Sequence, residues 1–85
     1  VNDTIRTETA IRRFLKERFR DYRDDMVSTD PLQDVVDSMG LFELVTFVEQ
    51  EFALSIPQSE FSPRLFATIG SIVRTVDKFG NGRTS

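Results

Sequence analysis

The sequence predicts an all-helical domain of four helices, with a long loop after the first and a short third. Three observations point there. Apolar residues recur at helical spacing in three separate stretches, and no run alternates apolar with polar residues in the manner of a strand. Ser, Thr and Asp stand where such stretches begin, while glycines, prolines and turn-forming residues stand where they end. The chain has 85 residues, enough for one small domain that buries roughly 60–65% of the surface its unfolded form would expose.

The first helix is expected from about Asp3 to Tyr22. Ile11, Leu15, Arg18, Phe19 and Tyr22 fall near one face, with Phe14 on its flank. The aliphatic stem of Arg18 can lie along that stripe while its head stays in water. Asp3 or Thr4 is a candidate cap, and Glu8 suits the positive end of the helix dipole. Residues 23–37 then carry no helical period. Ser28, Thr29, Asp30 and Pro31 mark a turn, and Leu32, Val35 and Val36 are the apolar residues expected to pin the connection to the core.

The second helix is expected from Ser38 to about Phe52, with Leu41, Leu44, Val45, Val48 and Phe52 as its stripe. Ser55, Pro57 and Ser59 close it off. Ser62 caps the short third helix with Pro63 at its first position, and Leu65 and Phe66 turn inward. Thr68 is expected to cap the fourth, which buries Ile69, Ile72, Val73, Val76 and Phe79. Gly70 weakens that helix by about 1 kcal/mol relative to Ala. Gly80, Asn81 and Gly82 stop it. Residues 1–80 are read as the domain, and 81–85 as a flexible tail.

Composition excludes several kinds of chemistry. There is no cysteine, so neither a disulfide nor a thiolate metal site can form. There is no histidine either, which removes the commonest general base and any Ser-His-Asp or Cys-His device. The carboxylates face solvent along a helix without an evident pocket, so an enzyme is not expected, and no resident metal is assigned. The apolar runs are too short to span a bilayer and no signal peptide is visible, so a cytoplasmic protein without membrane insertion is expected.

The net charge of −3 is unevenly spread: Met26 to Pro63 holds seven acidic residues and no Lys or Arg. Such a segment repels nucleic acid and favours a basic protein surface as partner.

Asp37-Ser38-Met39-Gly40-Leu41 is the informative stretch. It sets a hydroxyl where a loop ends and an amphipathic helix begins. The first N–H groups of a helix lack internal partners and the dipole there is positive, so a phosphate esterified to Ser38 would be held without a cationic side chain. Asp37 could serve the divalent metal of a phosphate-transferring enzyme. The plainer reading is that Asp37 or Ser38 simply caps the helix. Two features weigh against stopping there. Met39 and Phe42 fall on the side away from the apolar stripe, bordered by Glu43 and Glu49, and resemble a docking surface. The acidic segment is also centred on this serine.

Asp-Ser-Met-Gly followed by Leu-Phe-Glu-Leu-Val resembles the attachment motif and recognition helix of acyl carrier proteins. The resemblance spans nearly the whole chain, and its nearest echo is the D-alanyl carrier branch and related aminoacyl or starter-unit carriers. Ser59-Glu60-Phe61 and Thr68 match that branch. Leu41 and Phe42 are bulkier than is usual there, the loop before the motif is slightly short, and the Asp34-Val35-Val36 run replaces a glycine often found in it.

The resemblance implies an acyl-carrier-like four-helix bundle, monomeric, bearing 4'-phosphopantetheine from coenzyme A on Ser38, with Asp37 beside it. It also implies the partners: a phosphopantetheinyl transferase, an acyl- or aminoacyl-activating ligase, and a downstream acyltransferase or synthase. Such a protein passes a thioester-bound acyl or aminoacyl group between enzymes. The alternative from another class is an unmodified helical interaction module that binds a partner through Met39 and Phe42.

Overall fold

A computed structural model describes residues 3–80, with side chains from Ile5 onward. Three α-helices and one 3-10 segment follow in order: α1 (Asp3–Arg18), α2 (Ser38–Glu51), the 3-10 turn (Pro63–Phe66) and α3 (Ile69–Gly80). No strand occurs among the described residues. The fold is thus all-helical as expected, with the short third element wound as a single 3-10 turn. The side chains of Asp3 and Thr4, offered as caps for α1, and the tail at 81–85 lie outside the described residues.

α1 is shorter than its apolar period. The helix ends at Arg18, although Phe19 still donates its N–H to the Leu15 carbonyl (2.9 Å) before the chain turns. Phe19 and Tyr22 nevertheless face inward, from a turn instead of a helix. Arg12 donates to the Tyr22 hydroxyl (3.0 Å) and to Glu8 (2.8 Å), tying the turn back onto α1. Burial lowers the Arg12 pKa, but these two partners outweigh it and leave the guanidinium raised above its ordinary value.

The core is aliphatic, with a wall of phenylalanine. Ile11, Leu15, Leu44, Val48, Ile69 and Ile72 are fully buried. Phe14 stacks on Phe47 with ring centroids 4.3 Å apart, and Phe19 and Phe52 meet this pair edge-on at 5.9 and 6.4 Å. These rings join α1 to α2, each pair adding about 0.5–1.5 kcal/mol beyond its buried area. Among the described residues no buried side-chain N or O lacks a hydrogen-bond partner.

The long connection belongs to the core. Leu32 is buried and donates its N–H to the Ala67 carbonyl (2.8 Å), while Met26 is buried beside the helices. The Ser28 carbonyl accepts the N–H of Gly70 (2.9 Å), one of the donors that the start of α3 leaves open. A Cβ at position 70 would stand 3.2 Å from that carbonyl, which accounts for a glycine in the first turn of a helix. Thr68 Oγ1 accepts the Ser71 N–H (3.0 Å), as its sequence position anticipates. Ser62 likewise caps the 3-10 turn by accepting from Arg64, with Pro63 first.

α2 ends in a Schellman arrangement. Phe52 is the C-cap, Ala53 adopts a left-handed φ of 53°, and Leu54 donates to the Glu49 carbonyl (3.0 Å). Glycine is the residue this backbone favours. Ala53→Gly is therefore expected to raise stability by about 0.5–1 kcal/mol, after allowance for the greater freedom of glycine in the unfolded chain. Thermal denaturation with an unchanged or lower midpoint would contradict it.

Candidate functional site

The cap of α2 fixes the site. Asp37 is the N-cap in an extended conformation, and its Oδ1 accepts the Gly40 N–H at 2.7 Å. Ser38 is consequently the first helical residue and is exposed, its hydroxyl free of any structural duty among the described residues. The backbone N–H groups of Ser38 and Met39 have no partner there either, so the positive end of α2 opens beside the hydroxyl. Asp37 keeps its second carboxylate oxygen uncommitted.

Gly40 lets the chain close up behind this start. It is buried, and a Cβ on it would stand 2.5 Å from Phe19 Cε1 and 3.0 Å from Asp37 Oδ1. Neither neighbour can step aside cheaply, because Phe19 sits edge-on to Phe14 and Asp37 holds the cap. Gly40→Ala is expected to cost about 1–2 kcal/mol, since overpacking outweighs the better helix propensity of alanine. Phe19→Leu in the same background should recover part of that loss. A denaturant-unfolding cycle in which the two changes simply add would count against direct contact.

A cleft of about 400 Å³ runs from Ser38 between the long loop, the head of α2 and the 3-10 turn. Its walls are mainly apolar, from Pro31, Leu32, Val36, Leu41, Pro63 and Phe66. The periodicity of the sequence identified these residues as core or turn, and it gave no sign that they leave a gap beside the serine.

The other candidate residues divide. Met39 and Phe42 are the most exposed large apolar side chains of α2, at 76% and 78%. Glu43 lies next to them but is paired with Arg18. Glu49 is half-buried, and its Oε2 accepts the Ile56 N–H (3.0 Å), which ties the turn after α2 to the helix. Ser38, Met39, Phe42 and Glu43 thus share one surface with Asp37 at its head, and Glu49 borders it with one oxygen already taken. Sequence spacing missed Arg18 as a member of this surface. Its place on the apolar flank of α1 was a signal that could have brought it to α2.

Among the described residues no three potential metal ligands cluster, and no helix is long and apolar enough to cross a membrane.

No protein-family model matches the chain. Over 58 residues, 66% of its length, the chain is 40% identical to the "Probable acyl carrier protein PigG" of a Serratia species, of which the match covers 67%. Taken with the all-helical fold, that similarity makes the chain a member of the acyl carrier protein family, with the role of a carrier.

Proposed function

We propose that this domain carries an acyl or aminoacyl group on a 4'-phosphopantetheine arm attached to Ser38. A phosphopantetheinyl transferase would install the arm from coenzyme A, an activating ligase would load it, and an acyltransferase or synthase would unload it. The single observation that carries the reading is Ser38 itself: an exposed hydroxyl at the first position of α2, released from capping by Asp37.

The surroundings fit the group. The open N–H groups of Ser38 and Met39 and the positive helix end suit a phosphodiester. The apolar cleft beside Ser38 suits an extended, largely uncharged arm. When bound, the group supplies the thiol on which the cargo rides, a function that no side chain of this cysteine-free chain can provide. The chain contributes placement. Asp37 fixes where α2 begins, Gly40 lets the helix close against Phe19, and Met39 and Phe42 present apolar surface on which enzymes can dock. Glu43 and Glu49 border that surface. The domain performs no catalysis of its own in this reading, and coenzyme A as the donor implies loading in the cytoplasm. A D-alanyl or other aminoacyl cargo is one form of this reading, beside a fatty or polyketide chain, and only the resemblance of the motif supports it.

Intact-protein mass spectrometry after incubation with coenzyme A and a broad-specificity phosphopantetheinyl transferase tests this. One phosphopantetheine, mapped to the peptide containing Ser38, is the expected result. No addition with any of several transferases would overturn it in favour of an unmodified interaction module.

A further inference from the structure

The 3-10 turn forms one wall of the cleft beside Ser38, and it brings a cation there. Of the described residues that line this cleft, Asp37 and Arg64 alone are charged. They are distant in sequence, and backbone hydrogen bonds bring them together. Leu32 donates its N–H to the Ala67 carbonyl (2.8 Å), and its own carbonyl accepts from Val36 (2.8 Å), just before Asp37. The loop that leads into Ser38 is thereby tied to the turn that carries Arg64.

The backbone of Arg64 is held on both sides. Its N–H donates to Ser62 Oγ (3.2 Å), and its carbonyl accepts from Ala67 (3.3 Å). The Leu65 carbonyl accepts from the Thr75 hydroxyl (3.2 Å), which fixes the turn to α3. The Arg64 side chain is exposed instead, and its guanidinium has no hydrogen bond or ion pair among the described residues. Arg12, Lys16, Arg18, Arg23 and Lys78 each have a carboxylate partner. A free arginine on a surface is ordinary by itself. One that lines the cleft of Ser38 faces the charge that the carrier reading puts there.

A phosphodiester on Ser38 would carry one negative charge beside the Asp37 carboxylate, which lines the same cleft. Like charges at such short range repel. The open N–H groups at the head of α2 offset part of this, with about half a unit of positive charge. A full cation on the wall made by the 3-10 turn would offset the rest. Arginine suits the task, because its planar fork can donate two parallel N–H bonds to the two non-bridging oxygens of a phosphodiester.

We propose that Arg64 binds the phosphodiester at the root of the arm and balances the charge of Asp37 there. The inference rests on the carrier reading and deepens it. It departs from the expectation that the helix end alone would hold the phosphate, because only the fold brings Arg64 to the cleft of Ser38.

The test compares the apo form of the full chain with a holo form that carries no cargo, made with coenzyme A and a broad-specificity phosphopantetheinyl transferase. In 1H–15N NMR spectra the Arg64 Nε–H signal is expected to shift on loading. Its exchange with water should slow at least about threefold, as a charge-assisted hydrogen bond requires. Arg64→Gln should leave the apo melting midpoint nearly unchanged, as exposed substitutions usually do. It should lower the holo midpoint by roughly 1–5 °C at low salt, the size expected of an exposed ion pair in a domain this small. At about 500 mM salt that difference should mostly vanish. Arg64→Lys keeps the charge without the fork and should recover part of it. An Arg64 signal that is the same in both forms, or a loss of midpoint equal in apo and holo, would overturn the inference and leave the carrier reading standing. Failure of every transferase tried to load Ser38 would overturn both.

Discussion

Ser38→Ala is expected to abolish attachment of phosphopantetheine and to leave the fold untouched. The loss follows from chemistry, because no other hydroxyl can be substituted for one at the first turn of α2 beside the cleft. The intact fold follows from geometry. Asp37, not Ser38, supplies the cap, and the Ser38 side chain is exposed with no hydrogen bond among the described residues. Surface changes of that kind usually stay within about 0.5 kcal/mol. Asp37→Ala should show the opposite balance. It keeps the nucleophile but removes the bond to Gly40, at a cost of about 1 kcal/mol, typical for a lost N-cap. Mass spectrometry and thermal denaturation of both variants separate the roles. An alanine at position 38 that still gains the group, or that unfolds the domain, would refute the assignment.

Leu32→Ala should destabilise the domain as much as a change in a helix core. Leu32 lies in a segment without regular structure, yet it is only 1% exposed, and its N–H reaches the Ala67 carbonyl. Removing a buried leucine side chain costs about 2–5 kcal/mol, depending on how far the site collapses. For a domain of this size each kcal/mol moves the melting midpoint by roughly 4–8 °C, so a fall of more than about 10 °C is expected. Asp34→Ala, two residues on and exposed, is the control and should be near neutral. Because Leu32 also lines the cleft at Ser38, loading measured well below the midpoint should slow as well. A loss of under about 1 kcal/mol would show the loop to be peripheral.

The elements legible in the sequence were those whose side chains repeat. α2, with Leu44 and Val48 inward and Phe42 outward, and α3, with Ile69, Ile72 and Val76 inward, lie within a residue or two of their expected bounds. The Ser62 and Thr68 caps were readable because a short hydroxyl side chain before an apolar run has a local reason to be there. The end of α1 was not readable. Apolar period reports where side chains point, and Phe19 and Tyr22 point inward from a turn as well as they would from a helix. At the site, the exposure of Met39 and Phe42 followed from helical spacing alone. Which of Asp37 and Ser38 caps α2 did not, since either residue type can. Nor did the engagement of Glu43 and Glu49, which depends on Arg18 arriving from another helix and Ile56 from the following turn.

The two backbone hydrogen bonds that anchor the long loop have a consequence during synthesis. Leu32 and Ser28 find their partners at Ala67 and Gly70, roughly thirty residues beyond Ser38. While the chain is being made, Ser38 leaves the ribosome ahead of the carbonyl and amide that hold its approach in place. At about 5–20 residues per second, ribosomal elongation leaves an interval of about two to six seconds in which the serine is present without its framed setting. A transferase that reads the start of α2 as a shaped surface would pass over such a nascent chain, so the order of translation itself would keep the arm off until the domain has closed.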